Sequence, residues 1–227
     1  MQPEVLLLIP TLNEEEAIQQ LLQEARTAGF SNILVVDGFS SDRTREIAEA
    51  NGARVQLQEF GKGKGCGVRT GMKLFLESDS RFLAIIDGDG TNIPSDLMGM
   101  ISLAESGTAD VVLGSRTRGR REKHSMPTVS LASNLTVSFL LGAKFGRLFT
   151  DVQTGYWLFT KEAAGLVYPK IQSVGFEIEL ELFAVIMRSG LRVVEVPVGF
   201  RNRKGETKFS FMLRMRNLYY AFKYLAS

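Results

Sequence analysis

The sequence predicts an α/β fold built on a mainly parallel sheet covered by helices. Apolar, strand-like runs alternate with amphipathic, helix-like segments through the first half of the chain. The first run, Val5–Ile9, is continuously apolar, as a strand buried on both faces must be. At 227 residues the chain can form one large domain with a substantial core, or two small ones.

The elements follow in order. After Val5–Ile9 and the polar turn Thr11-Leu12-Asn13, a helical pattern runs from about Glu15 to Ala28, with Ile18, Leu21, Leu22 and Ala25 on one face. Asn32–Asp37 is a second strand, and Ser41 or Asp42 can cap a helix running to about Ala50. Arg54–Leu57 is a third strand. The glycine-rich stretch Gly61–Gly67 leads into a helix ending near Glu77, and Arg81–Ile86 is a fourth strand closing in Asp87-Gly88-Asp89-Gly90-Thr91. Pro94 fits the first turn of the next helix. Asp110–Leu113 is a fifth strand, followed by Gly114-Ser115-Arg116. The second half is less regular: a short strand within Asp151–Phe159, a helix over Phe176–Arg188, a strand over Arg192–Val196 and a basic, aromatic helix over Phe209–Leu225.

Apolar residues make up 44% of the chain and charged residues 23%, the balance of an ordinary soluble globular protein. A formal charge of +2 is not that of a nucleic-acid binder. The basic residues are nonetheless clustered, in Arg116–Lys123 and from Arg201 to the end, which points to anionic partners. A single cysteine, Cys66, excludes an intrachain disulfide and fits a reducing compartment. The start lacks the layout of a signal peptide. Pro127–Ala143, interrupted by Ser and Thr, falls short of a spanning helix, so no transmembrane segment is expected.

Four motifs carry candidate chemistry. Asp87 and Asp89 stand at the carboxyl end of a strand, the edge at which open α/β sheets bind ligands, and alternate residues of a strand share a side. Two hard oxygen ligands suit Mg²⁺ or Mn²⁺, with a diphosphate completing the shell. Asp-Gly pairs also form plain turns, and both readings stand. Pro10–Glu15 after the first strand can hold a base and ribose, with Glu14 or Glu15 accepting hydrogen bonds, or Asn13 can cap the helix. Asp37 ends the second strand at the same edge and can meet a base. Gly61–Gly67 is neither a dinucleotide fingerprint nor a phosphate loop; it reads as a mobile basic loop over a diphosphate or as a flexible surface turn. Arg201–Lys208 offers the forks and point charges that phosphate oxygens need, or is a solvated loop.

Taken in order, these motifs resemble the family-2 glycosyltransferases with the GT-A fold. Gly114-Ser115-Arg116, Asp151–Phe159, Gly175-Phe176-Glu177 and Arg203–Ser210 resemble the dolichyl-phosphate mannosyltransferase branch. The resemblance covers nearly the whole chain. It implies a single domain over residues 1–208, with a nucleotide-sugar half (1–114), a less regular acceptor half (115–208) and a C-terminal amphipathic helix (209–227). It places Pro10, Asn13 and Glu14 around the nucleotide, Asp37 at the base, and Asp87 and Asp89 on a divalent metal. Arg116 meets the acceptor phosphate. Lys64, Arg203 and Lys208 act on the donor phosphates, and Asp89 and Arg116 are the catalytic pair. Thr91 stands where many members carry a metal-contacting Gln.

The activity so implied is transfer of a hexose, with inversion, from a nucleotide-sugar to a polyprenyl phosphate. GDP-mannose is favoured, with UDP-glucose and UDP-N-acetylglucosamine as alternatives. The enzyme would sit peripherally on the cytoplasmic face of a membrane, docked through Thr128–Phe145 or Phe209–Leu225, unless those segments simply pack on the domain. An already anionic acceptor phosphate needs no general base, which agrees with the single histidine, His124, lying outside every motif. The competing readings are a glycosyltransferase with a soluble or polysaccharide acceptor, a non-catalytic nucleotide-sugar binding protein and a nucleotidyltransferase.

Overall fold

The structure is a computed structural model and describes residues 5–205 and 211–226. One seven-stranded sheet runs through it in the order β3-β2-β1-β4-β6-β5-β7. The strands are β1 (Val5–Thr11), β2 (Ile33–Asp37), β3 (Arg54–Leu57), β4 (Phe82–Ile85), β5 (Val111–Ser115), β6 (Trp157–Thr160) and β7 (Val193–Pro197). All pairings are parallel except those of β6, which lies antiparallel between β4 and β5. The second half therefore completes the sheet of the first, and the chain is a single α/β domain.

The helices are α1 (Ile18–Thr27), α2 (Thr44–Ala50), α3 (Lys64–Leu76), α4 (Leu97–Glu105), α5 (Thr128–Lys144), α6 (Lys161–Val167), α7 (Ile178–Arg188) and α8 (Phe211–Ala226). They divide between two faces. Alternate residues of β1 enter two separate cores: Leu6 and Leu8 pack with α3, α6 and α7, whereas Val5, Leu7 and Ile9 pack with α1 and α4. This is why the β1 run is apolar without alternation. Ile18, Leu21, Leu22 and Ala25 of α1 are buried on one face, as their spacing predicts.

Two local expectations change. The helix after β1 starts at Ile18, and Asn13 does not cap it. Asn13 instead takes a left-handed backbone (φ 49°), and its Oδ1 accepts the Ser41 N–H at 2.8 Å, tying the β1 turn to the β2 turn. Gly61–Gly67 is not a loop throughout: Lys64–Gly67 form the first turn of α3, and Gly65, Cys66 and Gly67 are buried. The Cys66 N–H donates to the Val174 carbonyl at 3.3 Å, fixing that turn beneath the segment before α7. Neither Ser41 nor Asp42 is the cap of α2: Arg43 holds that position without a side-chain bond, and Asp42 lies one residue earlier, its Oδ1 accepting from the Thr44 N–H at 3.0 Å. Among the described residues no helix is long and apolar enough to cross a membrane.

Candidate active site

The carboxyl ends of β1, β2, β3 and β4 frame a cleft of about 190 Å³. It is lined by Pro10, Glu14, Lys64, Asp87, Asp89 and Arg203, together with Thr11, Leu12, Gly38, Gln58, Gly63, Gly88 and Phe176. A larger hollow of about 430 Å³ opens beside Val5, Phe30, Asn32 and Ser80, at the opposite end of the strands, and holds no pair of carboxylates. Chemistry, not size, marks the site.

β4 ends at Ile85, and the Ile86 N–H still donates to the Leu8 carbonyl at 3.1 Å, so the chain stays against β1 until Asp87 emerges. Each carboxylate of the motif meets a cation. Lys64 Nζ lies 2.6 Å from Asp87 Oδ1 and 2.5 Å from Glu179 Oε1 of α7. Arg203 bridges Asp89 and Glu14, with Nη1 at 2.8 Å from Asp89 Oδ2 and Nη2 at 2.6 Å from Glu14 Oε1. Asp89 Oδ1 accepts the Thr91 N–H and hydroxyl at 3.1 and 2.7 Å. Thr91 thus orients Asp89.

The electrostatics follow from burial and pairing. Burial alone pushes the Asp87 carboxyl upward, but the charge and hydrogen bond of Lys64, backed by Arg116 and Arg203, outweigh it and hold the group below the usual carboxylate range. For Glu179 burial wins: desolvation and the nearby Asp87 charge raise it despite Lys64. Burial opposes the charge on Lys64, yet the two acids hold its ammonium well above the ordinary lysine value. The cleft floor at neutral pH therefore carries an ammonium locked between two acids.

Arg203 is positioned by the segment after β7. The Arg201 guanidinium grips Glu24 of α1 at 3.0 and 2.5 Å, the backbone N–H of Arg201 donates to the Thr91 carbonyl at 2.9 Å, and the Asn202 N–H donates to Glu122 Oε2 at 2.8 Å. The segment is pinned across the mouth of the cleft. Lys208 lies outside the described residues.

Three expected site residues stand outside the lining. Asn13 holds the Ser40–Ser41 turn. Asp37 is wholly buried, its oxygens accepting from the Ser40 N–H and hydroxyl at 2.9 and 2.5 Å with the Arg45 guanidinium at 3.6 Å. Arg116 forms a two-pronged pair with the buried Asp151, at 2.7 Å through both Nε and Nη2, and its guanidinium lies 5.3 Å from the Phe200 ring centroid. It still lies close enough to Asp87 to favour that group's charge. Glu179, Gln58 and Phe176 were not assigned roles from the sequence. Glu179 had a signal: two acids, Glu179 and Glu181, interrupt the apolar start of α7, with Glu177 just before it, and a buried acid must be paired.

What residues at this edge can do is hold an anionic ligand. Two acids project beside an ammonium and a guanidinium, and no cluster of three metal-binding side chains occurs among the described residues. The oxygen-only pair fits a hard divalent cation held jointly with an anionic ligand, not a cation caged by protein alone.

Known proteins share both the sequence and the architecture. The family model "Glycosyl transferase family 2" matches residues 7–165. A dolichyl-phosphate hexose transferase of Haloferax volcanii is 34% identical over 201 residues, covering 87% of this chain and 83% of that protein. An undecaprenyl-phosphate mannosyltransferase of Micrococcus luteus is 31% identical over 218 residues, covering 91% of this chain and 87% of that protein. Among solved structures, the glucosyl-3-phosphoglycerate synthase of Mycobacterium tuberculosis, in complex with Mn²⁺ and UDP-glucose, superposes with a TM-score of 0.75 at 17% identity, over 99% of this chain and 80% of that one. That likeness gives the GT-A fold. The family model spans most of the chain, and the two curated relatives match it nearly end to end; the chain belongs to glycosyl transferase family 2 and is a glycosyltransferase.

Proposed function

We propose that this chain transfers a hexose from a nucleotide-sugar to a polyprenyl phosphate at a membrane surface, with inversion at the anomeric carbon. The observation that carries the proposal is the juxtaposition of Asp87, Asp89, Lys64 and Arg203 in one cleft at the carboxyl edge of the sheet. Such a set suits a diphosphate and its cation together. The polyprenyl acceptor rests on the names of the two relatives, and the divalent metal on the Mn²⁺ complex of the structural neighbour.

In this reading Asp87 and Asp89 would hold Mg²⁺ or Mn²⁺ against the donor diphosphate. The bound ion supplies charge neutralisation of the leaving nucleoside diphosphate. Lys64 adds a fixed positive charge on the same oxygens, and Glu179 holds Lys64 in place. Arg203 leaves its acid partners to clasp the phosphates. Pro10 and Glu14 line the nucleoside end. An acceptor phosphate with a second pKa of about 6 is already a nucleophile at neutral pH, and no base is required. Arg116, braced by Asp151, would orient the attacking oxygen. GDP-mannose remains the favoured donor, with UDP-sugars as the alternative.

The membrane surface is met by α5 and α8. The two helices pack together, and Lys144 Nζ donates to the Tyr224 and Leu225 carbonyls at 2.8 Å each. Neither helix contains an acidic residue. Val129, Leu135, Phe139 and Leu140 of α5, and Tyr219 and Phe222 of α8, are exposed. Apolar exposed faces flanked by Lys144, Arg147 and Lys223 match the headgroup zone of an anionic bilayer.

The test is transfer of labelled sugar from GDP-mannose, UDP-glucose and UDP-N-acetylglucosamine to dolichyl or undecaprenyl phosphate, with and without Mn²⁺ or Mg²⁺. Metal-dependent label in the lipid fraction is expected. Label absent from lipid, with transfer to a soluble acceptor instead, overturns the acceptor assignment.

A further inference from the structure

Gln58 directly follows β3, and its N–H donates to the Asp37 carbonyl at 3.0 Å, so it extends the strand edge beside β2. The side chain is enclosed, with the residue only 6% exposed, yet it lines the cleft. Its Nε2 donates to the Gly61 carbonyl at 2.7 Å. That bond sets the orientation of the carboxamide: the nitrogen faces Gly61 and the oxygen faces away. Oε1 then lies between two glycines, where a Cβ on Gly38 would come within 3.4 Å of it and one on Gly67 within 3.5 Å. Both glycines thus border the oxygen at about van der Waals distance. A carbonyl oxygen held in one orientation by a residue that lines a cleft can accept from a donor on the ligand.

The position in the cleft says which donor. Asp87, Asp89, Lys64 and Arg203 gather charge at the β4 side. Gly38 and Gln58 stand at the β2–β3 side, and neither is charged. A nucleotide with its diphosphate at the first end has its base at the second. Asp37, the residue before Gly38, is withdrawn into the Ser40 turn.

Building on the nucleotide-sugar reading, we propose that Gln58 Oε1 is a base-reading group that accepts the imino N–H of the donor nucleobase, N3–H of uracil or N1–H of guanine. Cytosine and adenine present a ring nitrogen acceptor at the matching edge, and two lone pairs would then face each other. Gln58 cannot turn over to serve them without breaking its bond to Gly61. The site thus selects uracil or guanine by a hydrogen bond that the other two bases cannot make. A polar group left unpaired by the wrong ligand is the stronger source of such discrimination.

The experiment is calorimetric titration with UDP, GDP, CDP and ADP in Mn²⁺. It is repeated with the diphosphates of 3-methyluridine and 1-methylguanosine, whose imino hydrogens are replaced. The intact protein should bind UDP or GDP at least about tenfold more tightly than CDP, ADP and the N-methylated form of the preferred base. Gln58→Met keeps the bulk and removes the acceptor. It should lose about ten- to a hundredfold in affinity for the preferred base and bind the N-methylated form nearly as well as the parent. Retention of the full preference in Gln58→Met would show it to be steric and overturn the proposal. So would equal binding of all four bases by the intact protein, and that ranking decides alone if the variant does not fold. Failure of the intact protein to bind any nucleoside diphosphate would instead sink the nucleotide-sugar reading itself, and this proposal with it.

Discussion

Gly155 sits against the carboxylate of Asp87: a Cβ built on it would lie 2.5 Å from both Cγ and Oδ1 and closer still to Oδ2. Gly155 belongs to the segment that leads into β6, the antiparallel strand next to β4. The inserted strand thus sets the space in which the first acid of the motif stands.

The consequence is that Gly155→Ala should press on the Asp87 carboxylate and shift it against Lys64. A displacement on the order of 1 Å at a reacting centre costs about a hundredfold in rate. Sugar transfer by Gly155→Ala should fall by about that factor, with a larger effect on kcat than on nucleotide affinity. Wild-type kcat in a folded Gly155→Ala protein would show that Asp87 does not need its present position.

Lys64 makes a second, thermodynamic prediction. It is the shared partner of Asp87 and Glu179, and replacing it leaves two enclosed acids without a cation. Lys64→Met should destabilise the fold by about 3–5 kcal/mol at neutral pH in urea unfolding. Adding Glu179→Gln should recover a good part of that loss, because one of the two charges is then gone. The sign of the pH dependence is fixed. Without Lys64 both carboxyls are raised in the folded protein relative to the unfolded chain. The folded state then holds protons that the unfolded state gives up, and stability drops as pH rises above the ordinary carboxylate range. The deficit of Lys64→Met should therefore shrink toward about pH 4 and widen toward about pH 8. A deficit independent of pH would mean that the acids are not the cause.

How much of this was legible in the sequence depends on whether a residue's role is set by its own strand or by a distant segment. Asp87, Asp89, Pro10 and Glu14 sit at the ends of apolar runs, so periodicity alone places them at one edge of the sheet. Arg203 and Lys64 were found as basic residues near glycines, but not their partners, which lie 189 and 115 positions away for Glu14 and Glu179. Glu179 and Gln58 were missed because each matters only through what α7 or β3 brings it against. Asp37 and Arg116 show the reverse. Their strand-end positions follow from the sequence, but the side chains turn to neighbours, Ser40 and Asp151, that no local pattern discloses. The antiparallel insertion of β6 was likewise invisible, since a four-residue strand carries no signal of its direction.

Arg203 occupies the acids that a cation would need. With its guanidinium on both Asp89 and Glu14, it competes with any divalent ion for Asp89 Oδ2. Arg203→Ala should therefore bind Mn²⁺ alone more tightly than the intact protein, by about threefold to tenfold, and a nucleoside diphosphate more weakly by about tenfold. Arg203→Lys should resemble the alanine variant in its diphosphate affinity, because one ammonium cannot span two carboxylates as the planar fork does. Titration of Mn²⁺ and of diphosphate separately reads the two effects. A loss in both would mean that Arg203 supports the cleft without exchanging partners.

The α5–α8 face yields a prediction that does not involve the cleft. Phe139 is 57% exposed on a helix with no acidic residue, so a charge placed there disturbs little packing. Phe139→Glu and Leu135→Glu should leave the unfolding transition within about 0.5 kcal/mol of the parent. On vesicles containing anionic lipid the pair should lower partitioning at least about tenfold, through lost apolar insertion and new repulsion from the headgroups. Transfer to a short-chain, water-soluble polyprenyl phosphate should be unchanged in the same protein, since neither residue lines the cleft. Reduced partitioning together with intact short-chain transfer separates docking from catalysis. If vesicle binding is untouched, the exposed face of α5 has another occupant, and the membrane must be met by a different part of the chain.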